Sequence, residues 1–125
     1  MFIKHAFKTV FGGFFLTLLL VSAAFAHHGW SWTEDGNFKL TGVIKEARLG
    51  NPHGRLIVQA EDEQWLVEVG QPWRNKRAGL TDQMLSPGNE ITVIGQRSAD
   101  PKELRMKAER VLIDGKEHAL YPERS

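Results

Sequence analysis

Short alternating runs, each closed off by turn-forming residues, limit this chain more than any other feature. From Phe38 to Leu49, Phe38, Leu40 and Ile44 alternate with Lys39, Thr41 and Lys45, a period of two that fits a half-buried strand. Gly42 interrupts that run, and a glycine inside a strand predicts a bulge or strong coiling. Gly50-Asn51-Pro52-His53-Gly54 is a turn cluster, with Pro52 pushing Asn51 toward extended geometry. Arg55 to Glu61 reads as a second strand with Leu56 and Val58 on one face. Gln64 to Val69 reads as a third, with Trp65, Val67 and Val69 on one face and Glu68 on the other. Pro72 suits the first turn of a helix over Trp73 to Ala78, which Gly79 closes. Thr81 or Asp82 can cap a second helical turn carrying Met84 and Leu85. Glu90 to Gln96 and Leu104 to Ile113 read as strands four and five, the last ending at Asp114-Gly115. Five strands with a helix between the third and fourth is the element order of an OB-like, mainly β, five-stranded Greek-key barrel. A sandwich or an open α+β sheet would use similar strand counts.

Ahead of these runs lies a segment of different character. Lys4 and Lys8 are followed by the apolar stretch Phe11 to Val21 and by Ala24-Phe25-Ala26, the three parts of a secretory signal peptide. A spanning helix needs about 20 apolar residues. The run from Val10 to Ala26 is shorter than that, carries Gly12 and Gly13, and ends in a cleavage pattern. No Arg-Arg pair is present, which favours the general secretory route and a bacterial periplasm. The expected organisation is a signal peptide over 1–26, an N-terminal arm over 27–37, and a barrel domain with a polar C-terminal tail over 38–125. In the arm, Trp30 and Trp32 share a side if the backbone is extended, and are expected to pack it onto the domain.

Charge and cysteine content narrow the chemistry. Removing residues 1–26 takes away two lysines and leaves 14 basic against 15 acidic side chains. A near-neutral domain lacks the basic excess of a nucleic-acid binder, and no membrane association is expected after the leader is cleaved. There is no cysteine, so disulfides and thiolate metal sites are excluded. Any metal must be held by His, Asp/Glu, Met or backbone groups.

Cleavage after Ala26 would make His27 the first residue. Its α-amine and Nδ1 can then chelate one ion in a six-membered ring, and a second imidazole completes a T-shaped set of three nitrogens. Cu(II) prefers such tetragonal nitrogen ligation and stands highest in the divalent affinity order. The amine has a reference pKa of about 7.7–8.0, so its proton is readily displaced near neutrality. His28 and His53 are the other candidate ligands, and a three-histidine set also suits zinc. The plainer alternatives are a solvated terminus for His27 and His28, and a turn-closing role for His53. Glu68 is a candidate to orient a histidine from the second layer of the site, or else a surface residue. His118 is expected in the polar tail, outside any site. Met84 and Met106 are expected in the core. No Ser/His/Asp set, glycine-rich phosphate loop or HExxH pattern occurs, so no catalytic residue is assigned.

Ala26-His27-His28, Thr41-Gly42-Val43, Asn51-Pro52-His53, Glu68-Val69-Gly70, Arg77-Ala78-Gly79 and the run Pro87 to Gly95 together resemble a family of small exported bacterial proteins. That family is known as a domain of unknown function with an "AHH…NPH" signature. The resemblance implies an exported OB-like barrel and no particular activity. At one residue, the N-terminal histidine, the chain also looks like the copper brace of periplasmic copper carriers and copper monooxygenases. Three functions are therefore expected to compete. One is a periplasmic copper-binding protein using His27, His28 and His53. Another is a non-metal adaptor that binds a small ligand or another periplasmic protein through Trp65, Trp73 and Arg74. The third is a copper oxidase or oxygenase, which nothing beyond the histidines supports.

Overall fold

The computed structural model describes residues 29–124, and the chain divides into two compact units, Met1–Ser31 and Trp32–Ser125. The signal-peptide segment, His27 and His28 lie outside the described residues. In the first unit only 29–31 are described. They adopt turn geometry, with Gly29 at φ 91°, so the extended backbone on which Trp30 and Trp32 would share a side is not present there.

The second unit holds six strands and one helix: β1 (Phe38–Arg48), β2 (Arg55–Ala60), β3 (Glu63–Glu68), α1 (Pro72–Arg77), β4 (Glu90–Arg97), β5 (Arg105–Ile113) and β6 (Lys116–Ala119). They pair in the order β3-β2-β1-β4-β5-β6, and β3 also pairs in parallel with β5. That last pairing joins the ends of the five-stranded sheet, so β1 to β5 form a closed barrel, with α1 spanning the connection from β3 to β4. This is the OB-like topology that the element order predicts. β1 is long because it serves two neighbours: Phe38 to Val43 pair with β4, and Val43 to Arg48 pair with β2.

The irregularity foreseen at Gly42 falls elsewhere. β1 shifts register between Ile44 and Glu46, and β4 shifts between Ile94 and Gly95. Gly42 itself is a point of close approach, where a Cβ would overlap the carbonyl oxygen of Gln59 and lie 2.8 Å from a Val58 methyl group. A barrel this small coils its first strand tightly, and the missing side chain lets the neighbouring backbone in.

Ile44, Leu56, Val58, Val67, Val69, Ile91, Val93, Met106 and Val111 are fully buried in the core. Trp65 joins them at 4 % exposure, its ring 5.1 Å from that of Phe38. Met106 is core as expected, but Met84 is only half-buried, and the fully buried residue of that turn is Leu85. Thr81 does cap the turn, its hydroxyl accepting from the Met84 amide at 3.2 Å.

The C-terminal stretch departs most from the sequence reading. Asp114 (φ 52°) and Gly115 (φ 77°) form a two-residue turn with both residues left-handed, the geometry that closes a tight hairpin. β6 follows and pairs with β5 from Arg110↔Ala119 to Ile113↔Lys116. His118, Leu120 and Tyr121 are all buried. His118 Nδ1 lies 2.8 Å from the Ala78 carbonyl, tying β6 to the end of α1.

Candidate functional site

The loop carrying His53 is held against the end of β3 by its backbone. The Gly54 amide donates to the Gly70 carbonyl at 2.9 Å, and the Val69 amide donates to the Gly54 carbonyl at 2.9 Å. Asn75, buried in α1, fixes Gly70 from the other side. Its Oδ1 accepts from the Gly70 amide at 2.9 Å and its Nδ2 donates to the Gly70 carbonyl at 3.0 Å. Gly54 has no room for a side chain, since a Cβ would lie 2.7 Å from a Val69 methyl group. The Asn51–Pro52 peptide in this loop is cis.

His53 sits half-buried at this corner, and its Nδ1 is buried with no hydrogen-bond partner. Burial lowers its pKa from the ordinary 6.5, and Lys107, Arg55 and Arg74 push the same way. Glu68 alone opposes them. The ring is therefore neutral near pH 7, the form that binds metals. The same cations weigh against a divalent ion, and the Glu68 carboxylate partly offsets them.

Glu68 is no surface residue. It is 4 % exposed on β3, facing outward between Arg55 of β2 and Lys107 of β5. Its Oε1 accepts from Arg105 Nη2 at 2.7 Å. Its influence on His53 is through charge. Arg105 in turn carries the Trp32 ring 3.7 Å from its guanidinium carbon. Arg74 lies 4.1 Å over the Tyr121 ring, and Lys107 lies 5.7 Å from it. Lys107 is 2 % exposed, and burial lowers its pKa from 10.5 against the pull of Glu68. Burial raises the pKa of Tyr121 above 10.0.

The outer face of the β3–β5 seam is thus a covered polar layer, and the sequence reading did not foresee it. Lys107 and Glu109 occupy positions that would normally face water. They are buried because residues 120–124 fold back over them, with the Leu120 and Tyr121 amides donating to the Glu109 carbonyl at 2.9 and 3.1 Å. The one cue in the sequence was the apolar pair Leu120-Tyr121 in an otherwise polar tail.

Of the three expected ligands, the described residues include only His53. Among the described residues no three His, Asp or Glu side chains cluster to hold a metal ion. Trp65, expected as a binding contact, is instead core. Trp73 remains 53 % exposed on α1, with Arg74 4.6 Å over its ring.

Residues 16–106 match the profile of DUF6152, a family of unknown function. The chain belongs to that family. The DUF6152 match takes in β1 to β4, α1 and the His53 loop, and stops at Met106, before Lys107, Glu109 and β6. No curated protein matches the chain. Solved structures similar to it include the Stn1–Ten1 complex of S. pombe, at 21% identity and a TM-score of 0.49, covering 62% of this chain and 57% of that one. Another is apo TiaS, a tRNAIle2 agmatidine synthetase, at 16% identity and a TM-score of 0.46, covering 62% of this chain and 18% of that one. The DUF6152 chain thus spans little more than half of the first and under a fifth of the second. At these identities the likenesses say nothing of its chemistry.

Proposed function

We propose that this protein is exported by the general secretory route, is cleaved after Ala26, and binds a transition metal in the periplasm. The metal is copper in the first instance and zinc in the second. His27 supplies its α-amine and Nδ1, and His53, with His28, completes the nitrogen set. The observation that carries this reading is the unpartnered, buried Nδ1 of His53 on a ring kept neutral by its surroundings. A buried polar nitrogen without a partner is unfavourable, and a neutral imidazole is a ready ligand. Three residues separate His28 from Trp32, a reach of at most about 14 Å. Trp32 rests on Arg105, the partner of Glu68.

The test is the intact mass of the exported protein with and without added Cu(II), followed by an affinity titration. The expected result is a chain beginning at His27 that takes up one copper ion. Placing one extra residue before His27 destroys the amine–imidazole chelate, and His53→Ala removes a nitrogen. Each change is expected to weaken copper by at least about 10- to 100-fold, the scale that loss of a ligand's outer hydrogen-bonding partner alone already reaches. Unchanged affinity in the extended variant would remove the brace.

A second reading rests on Trp73. It is the large apolar side chain left exposed among the described residues, with Arg74 over its ring and Lys76 and Arg77 further along a helix without an acid in its first turn. Such a patch fits an acidic segment of another periplasmic protein. Partner binding that survives changing His27, His28 and His53 to alanine but fails in Trp73→Ala would favour this adaptor role.

A further inference from the structure

A cleft of about 400 Å³ opens between the turn ahead of β1 and the chain's last residues, on the outer face of β4 and β5. Asp35 and Asn37 line one wall, Glu123 and Arg124 the other, and Gln96 and Glu109 the base. Glu109 is 2 % exposed. Its Oε1 accepts from Gln96 Nε2 at 2.9 Å, and Gln96 Oε1 is held in turn by the Thr33 hydroxyl at 2.9 Å. Arg124 Nε stands 3.7 Å from the same Oε1, too far for a hydrogen bond. Glu109 Oε2, buried as well, has no hydrogen-bond partner. A carboxylate oxygen left so under a polar cleft needs a donor.

We propose that this cleft binds a small organic cation, one bearing an ammonium or guanidinium group, with Glu109 as the anchoring carboxylate. Three carboxylates against one guanidinium give the lining an acidic excess, so a cation is favoured over an anion. Among the described residues the acids do not converge on one point as a metal ion would need. A ligand that spreads its donors can reach Glu109 at the base and Asp35 or Glu123 at the rim together. The cleft has room for about a dozen waters, ample for a diamine or an alkylguanidinium. Gln96 is pinned at both ends of its amide, so the Glu109 carboxylate is held in place before any ligand arrives. This site is independent of the histidines, and none of its six side chains belongs to the metal reading.

The test is a nitrogen-15 chemical-shift titration of the purified protein with 1,4-diaminobutane and, separately, ethylguanidinium, against sodium chloride at matched ionic strength. Saturable shifts at the Gln96 side-chain amide and at Asn37 are expected with at least one organic cation and not with sodium. Glu109→Gln is expected to weaken binding roughly tenfold or more, as the loss of one charge-assisted hydrogen bond does. Absence of saturable shifts, or the same shifts with sodium, would overturn the proposal, as would full affinity in folded Glu109→Gln protein. Should that variant not fold, the exposed pair Asp35→Asn with Glu123→Gln decides: weakened binding supports the site, and unchanged affinity refutes it.

Discussion

His53 shows how much one side chain's setting adds to its identity. A histidine after Asn-Pro reads equally well as a turn closer and as a ligand. The decision depends on what surrounds its ring, and here Nδ1 is buried and unpaired beside a carboxylate and three cations. This has a consequence for stability. Because the folded ring has a lowered pKa, the unfolded chain takes up its proton first as pH falls through the ordinary 6.5. The unfolded state then binds more protons, so native stability declines with falling pH until the folded ring is protonated too. Below that point the deficit is constant. Urea unfolding of the metal-free protein between about pH 7.5 and 5.5 should show this decline, and His53→Gln should flatten it. An equal slope in the variant would mean that other groups carry the acid sensitivity.

Among the elements, the strands were legible because alternation survives wherever one face meets the core. The bulges were not, because a register shift depends on which strand lies alongside. Gly95 in β4 is the sharpest instance. It sits where β4 slips against β5, and a Cβ there would overlap the Lys107 carbonyl oxygen and lie 3.0 Å from the Glu109 amide. Both are backbone atoms that cannot rotate away. Gly95→Ala is therefore expected to destabilise the fold by about 2–3 kcal/mol, the upper range for overpacking. Gly50→Ala, which meets open space, should change it by less than about 0.5 kcal/mol. Denaturant midpoints of the two variants provide the comparison. β6 was missed for a different reason. Lys116 to Ala119 has too few residues to display a period, although Asp114-Gly115 was a hairpin signal in plain view.

At the scale of the whole molecule, three register pairs between β3 and β5 turn a sheet into a barrel. The Glu68–Arg105 ion pair crosses that seam at 2.7 Å, its acid 5% and its base 26% exposed in the side chain. Glu68→Gln removes the nearer of the two carboxylates beside Arg105, leaving Glu103 at 3.8 Å, and takes away the carboxylate that opposes the lowering of the Lys107 pKa. Breaking a buried pair costs several kcal/mol, but Arg105 retains some water, so a loss of about 1–3 kcal/mol is expected. Thermal unfolding of the variant measures it, and a change below about 0.5 kcal/mol would show that backbone pairing alone closes the barrel.

By itself the sequence determined the five barrel strands, the helix between strands three and four, most of the core and the OB-like class of the fold. These follow from local periodicity and turn chemistry, which act between residues near in the chain. Only the tertiary structure decided that Trp65 is core, that Glu68, Lys107 and Glu109 are buried, and that the C-terminal residues form a strand and a cover. Those outcomes depend on residues distant in sequence meeting across the closed seam. A charged side chain on an outward face looks solvated until something else in the chain folds over it.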